Sequence, residues 1–598
     1  MKNNVVFFFV DSVTWNFIST NAASVSPTPF LDSLKNESIT TTNLYSHGPY
    51  TDAATRSLFT GRNCLDDFGY YFKLNTSPIT HYKAFHDAGY ETYDFDYPYY
   101  MIGSEMKKYI DHSIYSSGFI YGSEWGGIFY FYHDIIKKRL LTEDEYLLLK
   151  KRITLLFDAW KLYLKEAIEN PASMAIHNKI LETYDAKAAL TTLESERLKF
   201  EASPIEYIDD FIRQGKEHIL ATLDSSGIET YIDQSFMKEY IDGKYGYLMD
   251  KIARRNNKAN ALKHIPSLKR LCFGLRRYLK TKDSSNLLFL ENYLGSLTTM
   301  KLMRKRWHEK GWQNQHTAFT MYNAGLDILR ERNSEKPFYF FFDVEEPHNN
   351  IAFFSYDCQD RNVIDEEMRM LEEYIDAVDT NFQGNLAYLL SIRYSDYQIE
   401  RFCNGLKELG LWDNTTILVV ADHGSSYAFH PIHNNRVNCF DDECYHIPLL
   451  IRHPGLKGKE ITSYQYSKDV LPTLMDVVGL KPCKEFKGRS MLRDGDNRTF
   501  VVCEYMGPGC PDMLQRRIWF SARDKNYIIA YKVGIYEPFE DGELAEVYDL
   551  SKDPDGFYNI NDKIDRTKIE YLLNPIHERF EEIKRDTNEF IEKLRKEQ

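Results

Sequence analysis

The sequence predicts an α/β protein with a mainly parallel central sheet flanked by helices, a large helical insertion and a small C-terminal α+β subdomain. Three observations carry this. Short apolar runs bounded by polar or turn residues alternate with helical patterns. The stretch 126–315 shows helical periodicity and almost no strand pattern. From 498 onward, strand-like segments precede one long charged amphipathic helix.

The first run, 4–10 (NVVFFFV), suits a strand buried on both faces of a parallel sheet. Runs 338–342, 416–420 and 447–451 repeat the pattern, with helical segments at 80–88, 397–409 and 469–478. In such sheets the carboxyl ends of the strands face the ligand crevice, which puts Asp11, the loop from Asp343 to His348, and Asp422–His423 at one edge. The insertion carries helices at 143–168 and 186–198. The C-terminal unit carries strands at 500–504, 527–533 and 546–549 and a helix over 568–596. The predicted divisions are 1–125 and 316–497 for the two parts of the catalytic α/β domain, 126–315 for the insertion and 498–598 for the C-terminal subdomain.

At 598 residues the chain exceeds what one hydrophobic core usually supports, and 43% hydrophobic with 15% aromatic residues is a folded composition. A net charge of −14 argues against a nucleic-acid-coating protein. Nine scattered cysteines without paired spacing fit a reducing compartment, and no window of 18 apolar residues exists, so a cytoplasmic location is expected. The charge reverses locally over 251–282, which holds eleven Lys/Arg and no Asp or Glu. Leu271, Phe273, Leu275, Tyr278 and Leu279 lie among these charges. This stretch is either a solvated helical face or a peripheral contact with an anionic membrane or substrate. A second basic cluster spans 301–310.

Three segments bear chemistry. Phe9-Val10-Asp11-Ser12 places an acid at a strand mouth, where it can ligate a hard cation or cap a helix. Gly48-Pro49-Tyr50-Thr51, followed by small residues, places Thr51 at a helix N-terminus, where it can act as a nucleophile or merely cap. Ala421-Asp422-His423-Gly424 after a buried strand offers mixed oxygen and nitrogen ligands.

Together these segments resemble the sulfatase/alkaline phosphatase superfamily. Further matches follow in family order: Phe59-Thr60-Gly61, Glu346-Pro347-His348, His446-Ile447-Pro448, Gly488-Arg489-Ser490 and Val547-Tyr548-Asp549-Leu550. The resemblance covers roughly 4–100 and 335–560. It implies an alkaline phosphatase-like fold and one or two divalent ions (Zn, Mn, Mg or Ca) held by Asp11, Thr51, Asp422 and His423. Counting back from Thr60-Gly61 sets the nucleophile at Thr51.

The departures matter. Sulfatases oxidise a Cys or Ser in that slot to formylglycine, which a threonine cannot become. The motif Pro is Ala53, the motif Arg position holds Thr55 with Arg56 one place late, and the family's sulfate-contacting Lys is Asp96. The resemblance therefore implies phosphoester hydrolysis or phosphoglycerol/phosphoethanolamine-type transfer through a phospho-threonine. Sulfate-ester hydrolysis and a non-catalytic anion-binding scaffold are the alternatives. His348 is expected as substrate contact or proton donor, and Arg56, His430 and His433 as substrate-binding residues. The expected substrate is an anionic small-molecule, glycan or lipid-linked ester, with no nucleic-acid partner.

Overall fold

The computed structural model describes residues 2–16, 23–95, 103–114, 122–169, 184–223, 234–264, 318–349, 360–382, 384–425, 442–493, 498–507, 517–554 and 558–597, with single positions between them. Ten strands come first: β1 (Asn4–Val10), β2 (Ser38–Thr41), β3 (Leu44–Tyr45), β4 (Glu91–Phe95), β5 (His112–Ser113), β6 (Phe338–Val344), β7 (Thr415–Ala421), β8 (Leu449–Arg452), β9 (Lys459–Ile461) and β10 (Gln465–Tyr466). Eight form one sheet in the order β5-β4-β6-β1-β7-β8-β2-β9, while β3 and β10 pair separately.

The centre of the sheet is parallel, as the apolar runs predict. β1 lies between β6 and β7, and all seven residues of each of these strands are buried. Phe8 stacks on Phe342 at 5.6 Å and Phe7 meets Phe341 edge-on at 5.2 Å, so aromatic pairs fasten β1 to β6. One strand departs from the prediction: β8 runs antiparallel to both β7 and β2. Its apolar pattern reports burial and carries no direction.

Helix α1 (Thr51–Thr60) delivers the candidate nucleophile. The helical stretch predicted over 126–315 begins at Gly122 and is shared between two cores. Helices α2 (Gly122–Lys137), α3 (Glu143–Glu169), α4 (Ala186–Ala202) and α5 (Pro204–Gln214) pack into the core of the C-terminal unit. Helix α6 (Gln234–His264) instead sends Ile241, Tyr245, Leu248, Met249 and Ile252 into the core of the main sheet. There it meets α7 (Arg361–Ala377) and α8 (Leu386–Glu408).

The start of the basic stretch is consumed by this docking. Lys251 pairs with Asp376, and Arg255 Nη2 donates to the carbonyls of Val378 (2.9 Å) and Asp379 (3.1 Å) past the end of α7. Leu275 and Leu279 are exposed beside Arg276 and Lys282. Phe273 and the 301–310 cluster lie outside the described residues.

The C-terminal unit is an antiparallel sheet of β11 (Phe500–Tyr505), β12 (Arg517–Asp524), β13 (Tyr527–Gly534) and β14 (Glu543–Asp549), closed by α9 (Glu570–Lys596). Strand β12 is absent from the sequence prediction. Among the described residues no helix is long and apolar enough to cross a membrane.

Candidate metal and nucleophile site

Register brings the site together. Val10 pairs with Ala421 across β1 and β7, so the next residues, Asp11 and Asp422, leave the sheet side by side. Asp11 is followed by a residue that turns the chain sharply. Ser12 has φ 64°, and its N–H donates to Asp422 Oδ1 at 3.1 Å while its hydroxyl donates to Asp11 Oδ1 at 2.8 Å. The Tyr388 hydroxyl donates to the Ser12 carbonyl at 2.6 Å and holds that turn. No helix starts at Asp11, so it is no N-cap. At Gly424 a Cβ would lie 1.8 Å from the Glu443 carbonyl oxygen, so only glycine lets this loop close.

His423 is oriented by its own loop. Its Nδ1–H donates to the Gly424 carbonyl at 2.6 Å, which leaves Nε2 with a lone pair facing the acids. Nε2 lies 3.6 Å from Asp11 Oδ1 and 3.3 Å from Asp422 Oδ2. Burial lowers the pKa of the imidazole and so favours the neutral ligand form.

Thr51 is the first residue of α1, after Tyr50 in extended backbone; the helix has no side-chain cap there. At Gly48 a Cβ would come within 2.4 Å of Ala53 Cβ, so the approach to the helix also requires glycine. The Thr51 hydroxyl does not cap. It lies 3.3 Å from His423 Nε2 and 3.5 Å from Asp11 Oδ2. Four residues predicted from three separate segments therefore converge.

The donor set fits a divalent cation. One ligand atom each from Asp11, Asp422 and His423 lies within 4.8 Å of the others, all buried. Asp422 Oδ2 accepts no hydrogen bond from the described residues. Burial and the neighbouring Asp11 charge drive its carboxyl pKa well above the usual range. Two buried like charges and an orphan oxygen are the features a bound cation would relieve.

The remaining predicted residues fare differently. His348, in the short helix Glu346–Asn349 after β6, is exposed. Arg56 is a correction. It is 1% exposed and its guanidinium donates to the carbonyls of Lys73 (2.7 Å) and Asp66 (3.3 Å) and to Thr76 Oγ1 (3.3 Å). At five residues past Thr51 it is turned about 100° beyond the position that stacks over Thr51, into the protein. His430, His433 and Asp96 lie outside the described residues. Ser12 and Tyr388 shape the site without having been predicted; a polar residue right after a strand-end acid was the available signal for Ser12, and Tyr388 had none.

The family described as Sulfatase matches residues 3–137 and 187–480. The chain belongs to the sulfatase family. This is the family that the motif order resembles. An arylsulfatase of Clostridium perfringens is 27% identical over 295 residues, covering 44% of this chain and 59% of that protein. Lipoteichoic acid synthase 1 of Bacillus subtilis is 33% identical over 100 residues, covering 16% of each. The chain thus spans less than two thirds of the length of these relatives. Among solved structures, a phosphonate monoester hydrolase of Agrobacterium radiobacter aligns with a TM-score of 0.47 and 14% identity over 98% of this chain and 96% of that one.

Proposed function

We propose that this sulfatase-family chain is a metal-dependent phosphoester hydrolase or transferase with Thr51 as its nucleophile. The observation carrying the reading is the position of the Thr51 hydroxyl: it caps nothing and sits 3.3 Å from His423 Nε2 and 3.5 Å from Asp11 Oδ2. A threonine cannot supply the formylglycine on which sulfatases depend, so the direct attack of an alkoxide is the chemistry left to this slot.

Asp11, Asp422 and His423 would hold a divalent ion (Zn, Mn, Mg or Ca), with Thr51 facing it. When bound, that ion lowers the pKa of a coordinated hydroxyl and neutralises charge on the ester. Thr51 Oγ passes its proton to solvent water and attacks phosphorus, forming the Oγ–P bond as the ester P–O bond opposite breaks. His348, which follows β6 at the same end of the sheet, would protonate the departing oxygen. Water or an acceptor hydroxyl then attacks phosphorus and releases Thr51. The substrate class is an anionic small-molecule, glycan or lipid-linked ester.

A panel of nitrophenyl phosphodiester, phosphomonoester and sulfate with manganese or zinc tests the reading. Phosphodiester or phosphomonoester turnover exceeding sulfate turnover is expected. Preferred sulfate turnover would move the chain to sulfate-ester hydrolysis, and no turnover with metal bound would favour an anion-binding scaffold.

Peripheral contact with an anionic membrane through 251–282, on the cytoplasmic side, is the accompanying proposal, supported by exposed Leu275 and Leu279 beside Arg276 and Lys282. Co-sedimentation with vesicles containing anionic lipid should exceed that with neutral vesicles. Equal recovery with both would remove it.

A further inference from the structure

Two consecutive residues of the inserted helix α6 hold both sides of the corner between α7 and α8. Arg255 donates to the carbonyls of Ile375, Val378 and Asp379 at the end of α7. Asn256 Oδ1 accepts the Leu386 N–H at 3.0 Å and the Ala387 N–H at 3.3 Å at the start of α8. Each takes the helix end its chemistry suits, a cation at the carbonyls and an amide oxygen at the N–H groups. Asn385, the local cap of α8, accepts from Ala387 (3.1 Å) and Tyr388 (3.3 Å), while the Leu386 amide goes to Asn256, which is 2% exposed.

Tyr388, the third residue of α8, carries this hold to the site. Its hydroxyl donates to the Ser12 carbonyl at 2.6 Å and accepts the Thr14 N–H at 3.1 Å, so one buried oxygen bridges the turn after Asp11. Ser12, at φ 64°, is in the left-handed region that a Cβ disfavours, and such a conformation persists only under restraint. From that turn Ser12 reaches both acids, its N–H to Asp422 Oδ1 and its hydroxyl to Asp11 Oδ1. Thr14 ties in the other loop. Its hydroxyl donates to the Glu443 carbonyl at 2.9 Å and accepts, at 3.2 Å, the N–H of Ser425, two residues past His423. The loops carrying Asp11, Asp422 and His423 are thus both tied to backbone that the Tyr388 hydroxyl fixes.

We propose that Asn256 is a positioning residue for the metal site: by fixing the first turn of α8 it sets Tyr388, and through Tyr388 the spacing of Asp11, Asp422 and His423. This role rests on those three residues holding the ion. The helical insertion then tunes metal affinity without contributing a ligand among the described residues, as outer partners of a metal site do.

The test measures manganese binding to the full chain by calorimetry in a double-mutant cycle, with thermal unfolding of the metal-free proteins alongside. Tyr388→Phe should weaken binding about tenfold or more, and Asn256→Ala about threefold or more. Asn256→Asp keeps the accepting oxygen at the helix start and should recover most of the wild-type affinity. Beside Tyr388→Phe, Asn256→Ala should cause no further loss, because its effect passes through that hydroxyl. A cap with a merely structural role would lower the unfolding temperature and leave manganese affinity unchanged. That result, or the same factor in both backgrounds, overturns the proposal. Should Asn256→Ala fail to fold, hydrogen exchange in the wild type decides. Coupling is reciprocal, so manganese should slow exchange of the Leu386 and Ala387 amides, and exchange indifferent to the metal overturns the proposal. Wild type that binds no manganese overturns the metal reading and this role together; equal affinity in wild type and Asn256→Ala overturns this role alone.

Discussion

The carboxylates of Asp11 and Asp422 come within 4.8 Å of each other at the ends of adjacent parallel strands, one step beyond the Val10–Ala421 pair. Without a cation this arrangement is unfavourable, since both groups are buried and burial together with Asp11 drives the Asp422 pKa upward. Asp422→Asn should therefore leave the metal-free protein at least as stable as wild type. With manganese in hundredfold excess over its dissociation constant the order should reverse, wild type gaining about 2.7 kcal/mol that the variant lacks. Thermal unfolding with chelator and with manganese reads both. An identical shift under the two conditions would mean the pair holds no metal.

Thr51 separates chemistry from binding. Thr51→Ala removes the oxygen that would carry phosphorus and should lower turnover by at least about a thousandfold, with metal content intact. Thr51→Ser keeps the oxygen and loses only a methyl, so it should retain a measurable fraction of activity and form a phospho-serine detectable by mass spectrometry after acid quench. Near-normal turnover by Thr51→Ala would remove the nucleophile assignment.

The parts of this site that were legible in sequence share a physical cause. Asp11, Asp422 and His423 follow apolar runs that can only be buried strands, and strand ends in a parallel sheet converge on one edge. A turn, a hydroxyl and small residues announce a helix start at Thr51, and the count back from Thr60-Gly61 that the family resemblance implies singled it out as nucleophile. Arg56 misled because one position along a helix rotates a side chain from the crevice into the core. Strand β4 (ETYDF) was hidden by its polar residues: Thr92 and Asp94 are buried all the same.

Asp94 sets a pH dependence away from the site. Burial pushes its pKa up to about 7, against the opposing effects of the Tyr82 hydroxyl, which donates to Oδ1, and of the Lys107 ammonium. Its Oδ2 accepts no hydrogen bond from the described residues. Between the ordinary carboxylate range near 4 and about 7, the folded chain keeps a proton that the unfolded chain has released. Stability should then fall as pH rises through that window, by up to about 4 kcal/mol from this group. Asp94→Asn keeps an acceptor for Tyr82 and carries no charge, so its stability curve should be flatter, matching wild type near pH 4 and exceeding it at pH 8. Denaturant unfolding across pH 4–8 measures this, and parallel curves for the two proteins would show that Asp94 is ionised throughout.

The C-terminal helix braces the turn behind the nucleophile helix through Arg579. Arg579 of α9 makes a bidentate pair with Glu504 at 2.6 and 2.7 Å and lies 2.8 Å from Asp66 Oδ1; these acids are 2% and 0% exposed. Glu504 Oε1 also accepts the Leu65 N–H at 3.0 Å, and Asp66 Oδ2 accepts the Asn63 N–H at 3.0 Å. Both bonds pin the turn that follows α1. Asp66 keeps a second cation in Lys487 at 3.0 Å, whereas Glu504 depends on Arg579 for its charge pairing. Burial alone would raise the Asp66 pKa, yet Arg579, Lys487 and Arg62 hold it well below the usual carboxylate range, so this group is ionised and its partners matter. Arg579→Ala strands Glu504 as an unpaired buried carboxylate and should cost about 3–5 kcal/mol. Arg579→Lys restores charge without the fork and should recover only part of it. Adding Glu504→Gln to Arg579→Ala removes the stranded charge, so the double variant should be more stable than Arg579→Ala alone. Denaturant unfolding of the four proteins tests this, and a double variant no better than Arg579→Ala would show that packing of α9, not this charge pair, secures the turn behind Thr51.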